Sequence, residues 1–334
     1  MVQPPAVIPA KAGIHSLESR APGETPWTRQ RERSQRWVLR LMGWIARYAG
    51  RRIARAVLHP IALYFLVSGG VARRESRRYL ERALRRPVRW RDLYAHVHCF
   101  ACTVLDRVYL LQGRHELFDV SFNGSAAVDA ALARGNGALL VGAHLGSFEV
   151  LRAVGDKQGL RVAMLMFEDN ARLITATLAA LAPNAKLHTI ALGRAEAMLE
   201  LRRWLDAGGV AGILADRTLP AAPQTPGQVA RSRLWRLPFL GHEAGFSDGP
   251  FRLAALLRRP VVFMAGLYLG ANRYRIHLVE LDDFSQAPAP GVSSDERVAA
   301  ALQRYVATLE ALCLAAPFNW FNFFDFWADA TPHS

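Results

Sequence analysis

Apolar residues along this chain come in short runs, most of them followed by a stretch with helical spacing. Residues 137–142, Gly-Ala-Leu-Leu-Val-Gly, form a small apolar run that reads as a strand buried on both faces. From Leu145 the spacing turns helical, through Phe148, Leu151 and Val154, with Arg152 as a polar break. Residues 160–167, 187–192 and 210–215 read as further strands. A polar loop from Glu168 leads into a helix reaching about residue 181, and another helix covers 195–207, ended by Gly208-Gly209. Residues 235–239 read as a strand, 241–246 as a turn, and 261–269 with 274–281 as an antiparallel pair. Further helices are expected over 90–112 and over 124–134, with Asn123 or Ser125 as cap. Two more run from Asp248 to 259 and over 294–314, the last capped by Ser293 or Ser294. Such alternation predicts an α/β fold, with a central, mainly parallel or mixed sheet flanked by helices.

The N-terminal part is patterned differently. Residues 1–26 are rich in Pro, Ala and Gly, have no periodicity and read as disordered; they carry no signal-peptide pattern. Residues 7–16 resemble the translation of a dispersed bacterial repeat, which suggests an upstream misassigned start. Residues 34–56 read as a basic amphipathic helix, with Trp37, Leu41, Trp44, Ile45 and Tyr48 on one side. Residues 56–72 are almost uncharged, but Pro60 and Gly69-Gly70 interrupt them, so interfacial or re-entrant insertion is expected over a clean span. The domain division that follows is 1–26 disordered, 27–92 membrane-associating helices, 93–327 the main domain and 328–334 a tail.

Charge sharpens this division. The formal net charge is +14, and residues 1–92 hold twenty Lys and Arg against six Asp and Glu, so the remainder is balanced. A basic, apolar N-terminal segment suits an anionic membrane leaflet; no nucleic-acid-binding motif accompanies it. Three cysteines make no disulfide framework. His96-x-His98-Cys99-x2-Cys102 sits in an expected helix with no second cluster, so a metal site is not expected.

His144 follows the 137–142 strand, and Asp216-Arg217 follow the 210–215 strand. In a parallel sheet, ligands bind at the carboxyl ends of strands, so these residues are expected to share a cleft. Glu149 lies five residues after His144. On an ideal helix the two would stand roughly 140° apart, so they meet only if the backbone turns sharply, which Gly146 permits. In that case the Glu149 carboxylate would orient the imidazole, and the other ring nitrogen could take a proton from a hydroxyl.

Gly-Ala-His-Leu-Gly-Ser-Phe-Glu (142–149) resembles the first motif of the lysophospholipid acyltransferase superfamily, in particular the late lipid A acyltransferases and related acyltransferases of glycolipid and aryl-polyene clusters. Ile-Leu-Ala-Asp-Arg (213–217), Pro-Phe-Leu-Gly-His-Glu-Ala (238–244), Asp-Gly-Pro-Phe-Arg-Leu-Ala (248–254) and the aromatic 320–327 follow in the expected order. The resemblance implies an O-acyltransferase that moves a fatty acyl group from a thioester, acyl carrier protein or coenzyme A, to a hydroxyl of a lipid or glycolipid. It implies His144 as base, oriented by Glu149, with no resident cofactor or metal, at the cytoplasmic face of the inner membrane. Ser147, Arg152, Asp216, Arg217, Gly241, Gly249 and Pro250 become substrate-binding candidates. Arg217 would bind phosphate, and the 249–252 amides would help hold an anion or oxyanion. The C-terminal Phe-Asn-Phe-Phe-Asp-Phe-Trp departs from the basic ending of lipid A enzymes, which favours another glycolipid or polyene lipid. The alternative is a non-catalytic lipid- or membrane-binding protein on an acyltransferase-like fold.

Overall fold

The computed structural model describes residues 50–124, 126–135, 137–157, 159–167, 188–192, 195–217 and 232–328. The expectations for residues 1–26, the basic helix before residue 50, the helix near residue 181 and the tail beyond 328 lie outside these.

The described residues begin with three helices, α1 (Gly50–Ser68), α2 (Gly70–Leu84) and α3 (Trp90–Leu111). Then come β1 (Asp119–Asn123), α4 (Ala126–Ala133), β2 (Ala138–Gly146), α5 (Phe148–Lys157), β3 (Val162–Phe167) and β4 (His188–Leu192). After α6 (Ala195–Asp206) and β5 (Val210–Leu214), a hairpin of β6 (Leu234–Phe239) and β7 (His242–Ser247) leads into α7 (Gly249–Leu257). The fold closes with β8 (Pro260–Tyr268), β9 (Arg273–Asp283) and α8 (Ser294–Ala315).

Seven strands form one sheet in the order β1-β9-β8-β2-β5-β3-β4. Every neighbouring pair is parallel except β8 and β9, which form the expected antiparallel pair. The α/β architecture read from the sequence is therefore the one observed. Period-2 alternation sends β2 into two cores. Leu139, Val141 and Leu145 join the core shared with α2 and α8, whereas Ala138 and Leu140 join the one shared with α1, the far part of α3 and α5. Val261 and Phe263 against Val262 and Met264 do the same on β8. Buried on both sides, β2 and β8 need the continuous apolar runs that the sequence shows.

Helix α1 buries Ala54, Leu58, Ala62 and Leu66, one residue per turn, against the body. It runs through Pro60 because Ala56, whose carbonyl that proline frees, faces solvent and can bond water. The break falls at Gly69, where a Cβ would lie 2.6 Å from the Phe65 carbonyl oxygen, and α2 leaves at 95° to α1. Arg51 anchors the start of α1 through two 2.9 Å bonds to Asp106, which also accepts from the Tyr274 hydroxyl at 2.9 Å. Helix α8 is long and apolar enough to cross a membrane, yet it packs Val298, Leu302, Tyr305 and Leu309 into the core. Ser293 starts it with a capping box to Glu296.

Two expectations are corrected, and one strand was not foreseen. Helix α5 starts at Phe148, not Leu145, and β2 continues through His144 to Gly146. Residues 241–246 are mostly strand; the turn is confined to Leu240-Gly241, both at positive φ, while Ala244 and Phe246 point inward. Gly241 and Gly245 had disguised the period-2 pattern of β7. Strand β1 went unseen because Asp-Val-Ser-Phe-Asn is a mostly exposed edge with no apolar run.

Candidate active site

The register of β2 against β5 builds the site. Ala138 pairs with Val210 and Gly142 with Leu214, and the Ala215 amide donates to the Gly142 carbonyl at 2.9 Å. Carried two residues further, this offset sets His144 beside Asp216. Nδ1 of His144 lies 2.8 Å from Oδ1 of Asp216, and the His144 amide donates to Oδ2 at 2.9 Å. The two strand ends thus bring His144 and Asp216 together.

Asp216 is buried, and its remaining donor is unexpected. The Trp320 indole Nε1–H donates to Oδ2 at 2.9 Å. Trp320 reaches it because the segment after α8 pairs with the end of β2: Leu145 and Trp320 form an antiparallel bridge, and the Phe321 amide donates to the His144 carbonyl at 2.8 Å. The indole is fully buried and ringed by Tyr79, Phe239 and Phe326. Its own carbonyl accepts from Nε2 of His96 at 2.8 Å, and Nδ1 of His96 meets the Ser76 hydroxyl at 2.7 Å. A bonded chain thus runs from α2 through α3 to Asp216. Burial lowers the His96 imidazole to about 4 despite that carbonyl acceptor, so it is neutral at physiological pH.

Burial would raise the Asp216 carboxyl, but His144, Arg217 and the indole outweigh it and hold it at about 2. An ionised Asp216 fixes the His144 tautomer with the proton on Nδ1, leaving a lone pair on Nε2. Nε2 has no hydrogen-bond partner among the described residues, and the His144 side chain is 29% exposed. This is the arrangement of a general base with its orienting carboxylate.

The partner on Nδ1 is Asp216, and this corrects the expectation for Glu149. At the start of α5, Glu149 turns to Arg107 of α3 at 2.7 Å and accepts from the Ser147 hydroxyl at 3.2 Å. Spacing suggested Glu149 because it assumed that a turn at Gly146 would fold it back on the histidine. Gly146 does take a positive φ of 71°, but the turn serves a close crossing: a Cβ there would lie 2.0 Å from the Gly266 carbonyl oxygen. Ser147 is buried and its amide donates to that same oxygen at 2.8 Å.

The other candidates scatter. Arg217 adjoins the pair, and its Nε is buried without a hydrogen-bond partner among the described residues. Burial lowers its guanidinium while Asp216 opposes the shift, and it lies over the Phe324 ring at 5.2 Å. Arg152 is buried on α5. Gly249 and Pro250 open α7, but the Gly249 amide already donates to the Ser247 hydroxyl at 3.2 Å, so it is not free for an oxyanion. The Asp248 side chain does not cap α7; it binds the Arg233 amide, the Trp235 indole and Arg252. Gly241 sits in the β6–β7 turn, in the wall of a separate cleft. Sequence reasoning missed Trp320. The aromatics of 317–327 are dense, and nothing in their spacing ties one indole to residue 216.

No protein-family model matches this chain, and no curated protein does. The site's chemistry therefore rests on its own geometry and on the motifs quoted above.

Proposed function

We propose that this protein is an O-acyltransferase that uses His144 as general base and Asp216 as its orienting carboxylate. The observation that carries the reading is the 2.8 Å His144–Asp216 pair at the carboxyl edge of β2 and β5, with Nε2 left open. Nε2 takes the proton of an acceptor hydroxyl as its oxygen attacks a thioester carbonyl. The tetrahedral intermediate collapses, the C–S bond breaks, and the imidazolium returns the proton to the departing thiolate. Asp216 stabilises the imidazolium between these steps. The donor is an acyl thioester of carrier protein or coenzyme A, and the acceptor a lipid or glycolipid hydroxyl.

Location at the inner membrane's cytoplasmic face is part of the proposal. Leu63, Tyr64, Val67 and Val71 are each more than half exposed around the α1–α2 elbow, and Arg73 and Arg74 follow directly. An apolar tip beside arginines suits a bilayer surface. Arg217, next to the pair, is assigned to a substrate phosphate.

The test measures thioester loss and acylated-lipid formation together. His144→Ala, shown by circular dichroism to be folded, should lower turnover roughly 10²–10⁴-fold with little change in substrate binding. An unchanged rate in that folded variant would overturn the mechanism and leave lipid binding without catalysis as the better reading.

A further inference from the structure

The antiparallel bridge between Leu145 and Trp320 places more than the indole. With the Phe321 amide bonded to the His144 carbonyl, His144 and Phe321 stand opposite one another across the two segments. Directly opposed residues share a face, their Cβ atoms roughly 5 Å apart. The cores bear out this alternation. Leu145 and Trp320 belong to the one shared with α2 and α8, whereas Phe321 lies with Ala138 and Leu140 in the one shared with α3 and α5. The His144 imidazole therefore has a phenyl ring as its neighbour on the α3 side. Phe321 is buried, and its ring meets Phe100 of α3 edge-on, 5.2 Å between centroids. Phe100 meets Phe323 in the same way at 5.3 Å, and His96 lies 4.8 Å from Phe323. Phe323 is half-buried, whereas Phe100 is 38% exposed. Val104, one turn along the same face of α3, is half-buried too. The stripe turns polar at Arg107, which Glu149 holds at 2.7 Å. An isolated exposed phenylalanine is ordinary on a protein surface. Phe100 is not isolated: its covered edge rests on the ring beside the base, and the remainder is open.

We propose that Phe100, with Phe323 and Val104, forms the ledge along which the substrate's acyl chain lies, and that Phe100 sets a preference for long chains. The inference rests on the acyl-transfer reading for the identity of the chain. Asp216 and Arg217 put charge on one side of the imidazole, and the Arg107–Glu149 pair puts charge at the start of α5. The apolar side is that of Phe321 and Phe100, so an acyl chain whose carbonyl is attacked beside Nε2 leaves the site over those rings. Each methylene that covers Phe100 is removed from water together with part of the ring. A charged headgroup or an acidic partner would find no free counter-charge on this stripe, because Arg107 is already paired.

The test follows the chain rather than turnover. The full-length protein is illuminated with a hexadecanoic acid carrying a diazirine midway along its chain, and the labelled peptides are mapped by mass spectrometry. Label is expected on the peptides holding Phe100 and Phe323. Unlabelled hexadecanoate should displace it at a concentration at least roughly tenfold lower than hexanoate needs, because each methylene adds to the burial. Phe100→Ser, at a partly exposed position, should cut the labelling severalfold in a folded protein. Phe100→Leu, which keeps an apolar side chain, should retain most of it. In turnover, Phe100→Ser should lower the preference for hexadecanoyl over hexanoyl thioester by roughly tenfold or more. Label confined to the α1–α2 elbow, where a bilayer would be met, overturns the ledge, as does undiminished labelling of folded Phe100→Ser. Photolabelling needs no proton transfer, so the two readings fail separately: misplaced label removes this inference, and an unchanged rate in His144→Ala removes the acyl-transfer mechanism.

Discussion

Asp106 and Asp216 are both buried carboxylates holding three or more polar partners, and the molecule uses them in opposite ways. Asp106 meets Arg51, Arg55 and the Tyr274 hydroxyl. Asp216 meets the His144 amide and imidazole and the Trp320 indole. Burial pushes Asp106 up against the pull of its arginines, whereas the partners of Asp216 overcome burial and hold it at about 2. The partners also differ in what they can release. Arginine keeps its proton at any working pH, so the Asp106 cluster can only fasten α1 to α3 and the β8–β9 hairpin. Histidine can pass a proton, and His144 alone among these partners pairs a buried carboxylate with an open ring nitrogen. A buried charge becomes chemistry when its partner can change state and reach solvent.

Substitution at the two positions should separate them most sharply. Asp216→Asn should lower turnover roughly 10²–10⁴-fold in a folded protein, because Nδ1 loses its acceptor and the tautomer is no longer fixed. Asp106→Ala should leave the rate per folded molecule near wild type and shift the urea midpoint instead. Its cost should fall near the low end of the roughly 3–5 kcal/mol seen when a buried pair loses one member, because Arg51 can turn to water. If Asp106→Ala abolished turnover while stability held, the division of labour would be wrong. Trp320→Phe keeps the aromatic packing and removes one charge-assisted donor, so turnover should fall on the order of tenfold, equivalent to about 1.4 kcal/mol in the barrier. Glu149→Gln should slow turnover less than Asp216→Asn does and cost about 1 kcal/mol or less, since Arg107 is half exposed. A larger rate loss from Glu149→Gln would return the orienting role to that residue.

The pH dependence of stability has two parts of the same sign. Asp216 has a folded pKa below the ordinary carboxylate value, so its contribution is fully present above about 4 and is lost as pH falls through about 2. His96 stays neutral in the fold while the unfolded chain binds a proton below about 6.5. Stability should therefore already decline from there toward pH 4, by up to about 1.4 kcal/mol per pH unit for one proton. Urea titrations at pH 7, 5.5 and 4.5 should show this slope, and His96→Gln should flatten it.

Legibility followed the range of the interaction. Strands β2, β5 and β8 were readable because burial on both faces forces continuous apolar runs, and the placement of residues 144 and 216 at carboxyl ends followed from strand alternation. The His-x4-Glu spacing drew attention to the right histidine and the wrong carboxylate. Spacing sees only neighbours in sequence, while the true partner stands 72 residues on, fixed by a strand register that no local pattern encodes. Trp320 was further still from view. Its role depends on where the segment after α8 lands, which packing decides, and its aromatic neighbours look alike in composition. Gly249 misled for a converse reason: the start of α7 was correctly placed, but Ser247 had already taken its amide.

The order in which the ribosome delivers these residues gives the indole a separate consequence. Residue 320 is made 104 positions after residue 216. At about 5–20 residues per second, β2 and β5 can emerge and pair roughly 5–20 s before the tryptophan arrives. During that interval a nascent chain carries the histidine and the aspartate without the donor that completes them. The last step in assembling the site is then timed by translation, and slowing elongation beyond residue 216 should prolong the interval in which chaperones or proteases meet the unfinished sheet edge.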